Sequence, residues 1–134
     1  MELMPQLQNL VLTDRAATPV NHTFSPRDIV DNVATVTESS GVIIGENRVS
    51  LSLRRNGNKA KGRLVLTIPV VQTETVNGVS RPTVVRTAVA DLSLSFDYAS
   101  TEQERKDLIG MLASSLEPSK VLVNDTFVKL QSVY

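Results

Sequence analysis

Arg48, Ser50, Ser52 and Arg54 recur at every second position of Arg48-Val49-Ser50-Leu51-Ser52-Leu53-Arg54. In an extended strand this spacing puts all four on one face and Val49, Leu51 and Leu53 on the other. Guanidinium groups among short hydroxyls offer hydrogen-bond donors to phosphate oxygens and base edges. Residues 63–71 alternate in the same way, with Leu64, Leu66 and Ile68 inward and Arg63, Val65 and Thr67 outward. In residues 83–98, Ala90, Leu92, Leu94 and Phe96 face a core, which leaves Val89, Asp91, Ser93 and Ser95 on the opposite face. If these strands pair, their polar faces form one surface suited to a polyanion. A solvated sheet face that uses Ser and Thr for strand propensity would read the same way. Both readings are open at this level.

The charge distribution bears on that choice. The chain of 134 residues has 14 basic and 14 acidic groups. Between Asn47 and Ala90 the charged residues are Arg48, Arg54, Arg55, Lys59, Lys61, Arg63, Arg81 and Arg86 against Glu74 alone. A neutral chain therefore has a basic middle between acidic flanks, the pattern of a protein that meets a polyanion with one surface. There is no cysteine and one histidine, His22. Disulfide frameworks, cysteine zinc clusters and thiol nucleophiles are absent, and no cofactor or metal is expected. His22 sits near a hairpin end with no partner suggested by spacing and reads as a surface histidine. Asp91 and Asp97 are the best carboxylate candidates for an enzyme, but both are ordinary for exposed strand positions. No phosphate-binding glycine loop or nucleophile motif appears, so no enzymatic activity is expected.

The length fits one domain, residues 1–134. No apolar run approaches the ~20 residues that span a bilayer. Met1-Glu2-Leu3-Met4-Pro5 lacks a basic flank and a long apolar stretch, so a secretory signal is not expected. An N-terminal hairpin is predicted over residues 6–24, its second strand closed by Ser25-Pro26. A sheet is predicted over residues 32–98, with a breaker at Ser39-Ser40-Gly41 and a turn at Asn56-Gly57-Asn58-Lys59 compatible with type I′. Residues 72–82 read as a polar loop around Asn77-Gly78, and the strand after them has room for a bulge. Helices are predicted over residues 101–131. Ser100 and Gln103 form a capping box for the first, Leu108, Ile109, Leu112 and Leu116 its apolar stripe, and Pro118 its end. Ser119 caps the second, striped by Val123, Phe127 and Leu130. The fold class is α+β: a hairpin, an antiparallel sheet, then two C-terminal helices. Two short helices are too few to cover the apolar face of such a sheet, and helices from a second copy would complete the cover.

The order of these elements and several strings resemble the coat proteins of the small single-stranded RNA bacteriophages, the levivirus family. The similarity covers nearly the whole chain. It is most specific in Gln6-Leu7-Gln8-Asn9-Leu10-Val11-Leu12, Gln72-Thr73-Glu74-Thr75-Val76-Asn77-Gly78-Val79 and Ala90-Asp91-Leu92-Ser93-Leu94-Ser95-Phe96. Ser100-Thr101-Glu102-Gln103-Glu104-Arg105 and the terminal Val133-Tyr134 add to it. The resemblance implies an interlocked homodimer whose sheets join and whose helices cross onto the partner. Dimers would assemble into a quasi-equivalent icosahedral (T=3) shell around the viral genomic RNA. The chain would be made in the bacterial host cytoplasm and end in the virion. The sheet face would also bind an operator hairpin at the replicase start and repress its translation. No membrane or small-molecule substrate is implied.

Carried over position by position, Val33, Ser50 and Ser52 match the small apolar or hydroxyl positions that form the family's base pockets. Arg48, Arg54 and Lys61 match its basic phosphate-facing positions. Arg63 stands where a hydroxyl is often found, and Val65 where a lysine is common. Val89 replaces a tyrosine on which a loop base stacks in relatives. Asp91 occupies a position that is Asn in some relatives and Asp in others. The alternative is a dimeric RNA regulator that uses the same sheet face and forms no shell. Such a regulator has no use for the segment 72–82, which in the family makes the symmetry-axis contacts.

Overall fold

The computed structural model describes residues 6–39 and 41–134. The N-terminal residues 1–5, considered above as a signal, and Ser40 in the breaker lie outside the described residues. The chain divides into two compact units, Met1–Ser95 and Phe96–Tyr134.

The first unit is a meander of six strands in sequential order. They are β1 (Leu10–Thr13), β2 (Asn21–Val30), β3 (Val33–Glu38), β4 (Asn47–Asn56), β5 (Lys59–Val76) and β6 (Val79–Asp97), the last of which runs on into the second unit. Turn chemistry explains the tight reversals. Asp31 and Asn32 between β2 and β3, and Asn77 and Gly78 between β5 and β6, all take positive φ, the requirement of a type I′ turn. Between β4 and β5 Asn56 still pairs with Lys59, and of the two turn residues Gly57 alone has positive φ. That is the one-glycine pattern of type II′ rather than the type I′ expected there.

The strands are longer than the sequence suggests. Residues 72–82 are not a loop, since β5 runs to Val76 and β6 starts at Val79. This hairpin arm is exposed from Gln72 onward, so neither of its faces carries an apolar alternation that would announce a strand. Likewise β2 does not stop at Ser25-Pro26 but continues to Val30, with a register shift between Pro26 and Asp28. Pairing with β1 ends at Phe24, so Pro26 lies where β2 has an open edge and needs no N–H on that side. Arg63 meets Asp91, and Thr75 meets Ser80, across β5 and β6. Same-face partners in a regular antiparallel ladder keep one parity of residue numbers, and these two pairs differ. A one-residue irregularity therefore lies between them.

Among the described residues the buried apolar core is Phe24, Val36 and Val49, at 3%, 6% and 2% exposure. Leu7, Leu10, Leu12, Leu64 and Leu66 pack against it. The rest of this sheet face is open, with Leu51 and Leu53 56% and 61% exposed.

In the second unit α1 (Glu102–Ser115) and α2 (Val121–Phe127) contain no buried residue. The α1 cap is one residue later than expected. The Thr101 hydroxyl accepts from the Glu104 N–H at 3.2 Å, and the Glu104 carboxylate accepts from the Thr101 N–H at 3.4 Å. Gln103 instead donates to Asp107 one turn on, at 2.8 Å. The carboxylate of Glu104 is the better partner for the positive end of the helix. Ser119 makes no cap, because α2 begins from Lys120 without a side-chain bond. Leu130 falls beyond α2 with φ of 57°, outside the helical stripe.

Candidate nucleic-acid interface

The interface is built by register. Across β4 and β5, Arg48 stands opposite Thr67, Ser50 opposite Val65, Ser52 opposite Arg63 and Arg54 opposite Lys61. Across β3 and β4, Val33 stands opposite Ser52, Thr35 opposite Ser50 and Thr37 opposite Arg48. Directly opposed residues of an antiparallel pair share a face. Eight of the sequence-assigned residues, namely Val33, Arg48, Ser50, Ser52, Arg54, Lys61, Arg63 and Val65, therefore occupy one side of three adjacent strands. Thr35 and Thr37 belong to the same row and were not singled out. The i, i+2, i+4 spacing from Val33 is the signal that places them.

Part of this face is concave. Val33, Ser52, Arg54, Lys61 and Arg63 line a depression of about 500 Å³ together with Ser93 and Ser95 of β6. Arg48, Ser50 and Val65 lie farther along the strands and are not among its lining residues. Val89, two residues from Asp91 in β6, is 62% exposed.

Asp91 is committed to a partner. Arg63 donates from Nε to Oδ1 at 3.0 Å and from Nη2 to Oδ2 at 2.6 Å, a two-pronged pair across β5 and β6. The Arg63 guanidinium holds the Asp91 carboxyl below its ordinary range, so it stays ionised at neutral pH. The pair neutralises one arginine of the face and leaves Arg48, Arg54 and Lys61 as the basic groups among the assigned residues, with Lys59 in the same row at the turn end. Within the depression the arrangement offers two cations, the Arg63 member of the ion pair, three hydroxyls and the small apolar Val33. Phosphates, donor-bearing base edges and a flat base surface could each be met there.

His22 does not stand alone as expected. Its two ring nitrogens lie 2.7 Å from carboxylates of Asp14 and Glu38. The partners are eight and sixteen residues away, and no local spacing rule connects them.

Comparison with known proteins gives the same direction as the geometry. The family model described as levivirus coat protein matches residues 5–134. The capsid protein of Pseudomonas phage PRR1 is 53% identical over 130 residues, covering 96% of this chain and 99% of that protein. The capsid protein of Escherichia virus Qbeta is 32% identical over 114 residues, covering 81% of this chain and 78% of its own length. Among solved structures, a virus-like particle of bacteriophage ESE058 superposes with a TM-score of 0.87 at 27% identity, over 97% of this chain and 100% of that one. With its meander followed by two helices, and matched over almost its whole length, the chain belongs to the levivirus coat protein family, as a structural, non-enzymatic component of a bacteriophage virion.

Proposed function

We propose that the protein forms homodimers that close into an icosahedral T=3 shell around single-stranded viral RNA. Its basic sheet face binds an operator hairpin at the replicase start and represses translation. The observation that carries the RNA reading is the single face shared by Val33, Arg48, Ser50, Ser52, Arg54, Lys61, Arg63 and Val65. Val89 and Asp91 extend it onto β6. Phosphate contacts from Arg48, Arg54 and Lys61 would set the RNA on the sheet, and the hydroxyls and Val33 would read its bases.

Pairing is supported by what each unit leaves open. An apolar hollow of about 330 Å³ lies on the other sheet face, lined by Leu7, Leu10, Ile29, Val36, Leu51 and Leu64 among others. Neither helix buries a residue, and Ile109, Leu116 and Phe127 remain exposed. Apolar surface of this extent calls for a partner, and a second copy brings complementary helices.

Negative-stain microscopy of purified protein, with extraction of copurifying RNA and hairpin filter binding, tests the reading. Shells containing RNA are expected. Dimers that bind a hairpin and never form particles would make the protein a regulator without a shell. Folded monomers with no affinity for RNA would overturn both.

A further inference from the structure

We propose that His22 is a proton-operated latch that fastens the β1–β2 hairpin to the rest of the sheet, closed while the imidazole carries two protons and released when one is lost. The cluster spans four elements. Asp14 immediately follows β1, His22 lies in β2, Glu38 ends β3, and Asn47 opens β4. His22 Nε2 lies 2.7 Å from Asp14 Oδ2, and Nδ1 lies 2.7 Å from Glu38 Oε2. The other Glu38 oxygen accepts from Asn47 Nδ2 at 2.9 Å.

An ionised carboxylate accepts hydrogen bonds and donates none, while a neutral imidazole has one N–H. Both contacts can therefore be made at once only by the doubly protonated ring. Asp14 is fixed in its ionised form. The Val20 N–H, the His22 ring and the Ala16 N–H all donate to its carboxylate and hold its pKa down to about 2. The bonds to Asp14 first, and to Glu38 second, raise the His22 pKa above its ordinary 6.5.

The latch has something to hold. β1 pairs with β2 alone through four residues, Leu10 to Thr13, and lays Leu10 and Leu12 on the core of Phe24, Val36 and Val49. Leu12 stands opposite His22 in that short ladder. The charged groups facing the ring are Asp14 from the hairpin turn and Glu38 from β3. Arg15 follows Asp14 in the chain, and Arg48 follows Asn47 but belongs to the opposite sheet face.

Because the folded pKa is raised, the latch holds in full below the ordinary histidine value and weakens as pH rises through the raised one. On the acid side the Asp14 contact persists until pH falls toward about 2, where that carboxylate takes up a proton. The hairpin is thus fastened below the raised His22 pKa and loosened above it.

His22 is the chain's one histidine, so exchange of its C2 proton, read by mass spectrometry in the intact assembly, reports its titration. Amide exchange of a peptide covering Leu10–Thr13, corrected for the intrinsic pH dependence, reports the hairpin. We expect His22 to titrate above 6.5 and the β1 amides to exchange several-fold faster as pH passes that point, with the β4–β5 ladder unchanged. Glu38→Gln should lower the titration point, and His22→Gln should abolish the step. Where His22→Gln does not fold, the unmodified protein and Glu38→Gln decide the matter. Titration at or below 6.5, β1 exchange indifferent to it, or the same step in His22→Gln overturns the latch.

Discussion

Asp91 subtracts from the face on which it stands. Two N–H groups of Arg63 are turned onto its carboxylate instead of outward, so the pair offers a phosphate no net positive charge. A carboxylate at this position favours only an RNA that presents a donor to it. Asp91→Asn keeps the shape, removes the charge, adds donors and releases the Arg63 guanidinium. It should bind mismatched hairpins more tightly by ~1–3 kcal/mol and narrow their difference from the cognate one. Unchanged discrimination in a filter-binding panel would place Asp91 off the RNA surface. Arg54, whose ladder partner is Lys61, serves as the contrast. Arg54→Ala should weaken every hairpin alike and reduce the slope of log K against log salt by about one.

At the scale of elements, the α1 cap is the simplest test. Thr101→Ala removes the acceptor for the Glu104 N–H and should cost ~0.5–2 kcal/mol in urea unfolding. Ser100 and Thr101 each have a Gln or Glu three residues on, so the sequence offers two equally good boxes and side-chain charge decides between them. The same comparison explains what else was legible. β4 and β5 were readable because one of their faces is apolar, and their alternation sets Arg48, Ser50, Ser52, Arg54, Arg63 and Val65 on the other face, as the observed pairing does. The arm over residues 72–82 was unreadable as strand because water covers both its faces. Arg63 and Asp91 are 28 residues apart, and His22 is 16 from Glu38, so both bonds depend on strand pairing that no local pattern states. Since the arm projects as a hairpin with an exposed turn, deleting residues 75–79 should leave soluble dimers and block or alter shells. Unfolded dimers, seen by circular dichroism and light scattering, would mean that the arm supports the fold instead.

At the scale of the whole molecule, three buried apolar side chains among the described residues are a small core for a chain of this length. Stability should therefore be inseparable from association, with no folded monomer on dilution. Sedimentation combined with far-ultraviolet circular dichroism down to nanomolar protein checks this, and a monomer that keeps its secondary structure would refute it. Phe127→Arg, at an exposed position in the isolated chain, should abolish association and folding together.

The alternation of β4 and β5 has one more consequence, which concerns errors rather than binding. Nine consecutive residue pairs join these strands through a two-residue turn, from Arg48↔Thr67 to Asn56↔Lys59. A slip of one residue would carry Arg48, Ser50, Ser52 and Arg54 onto the side where Val49 is buried and turn Val49 out to water. The wrong register is therefore penalised most at the rungs around Val49, where its face is buried. A sheet with one oily side and one basic side proofreads its own pairing, so many identical copies can fold without accumulating misaligned ones.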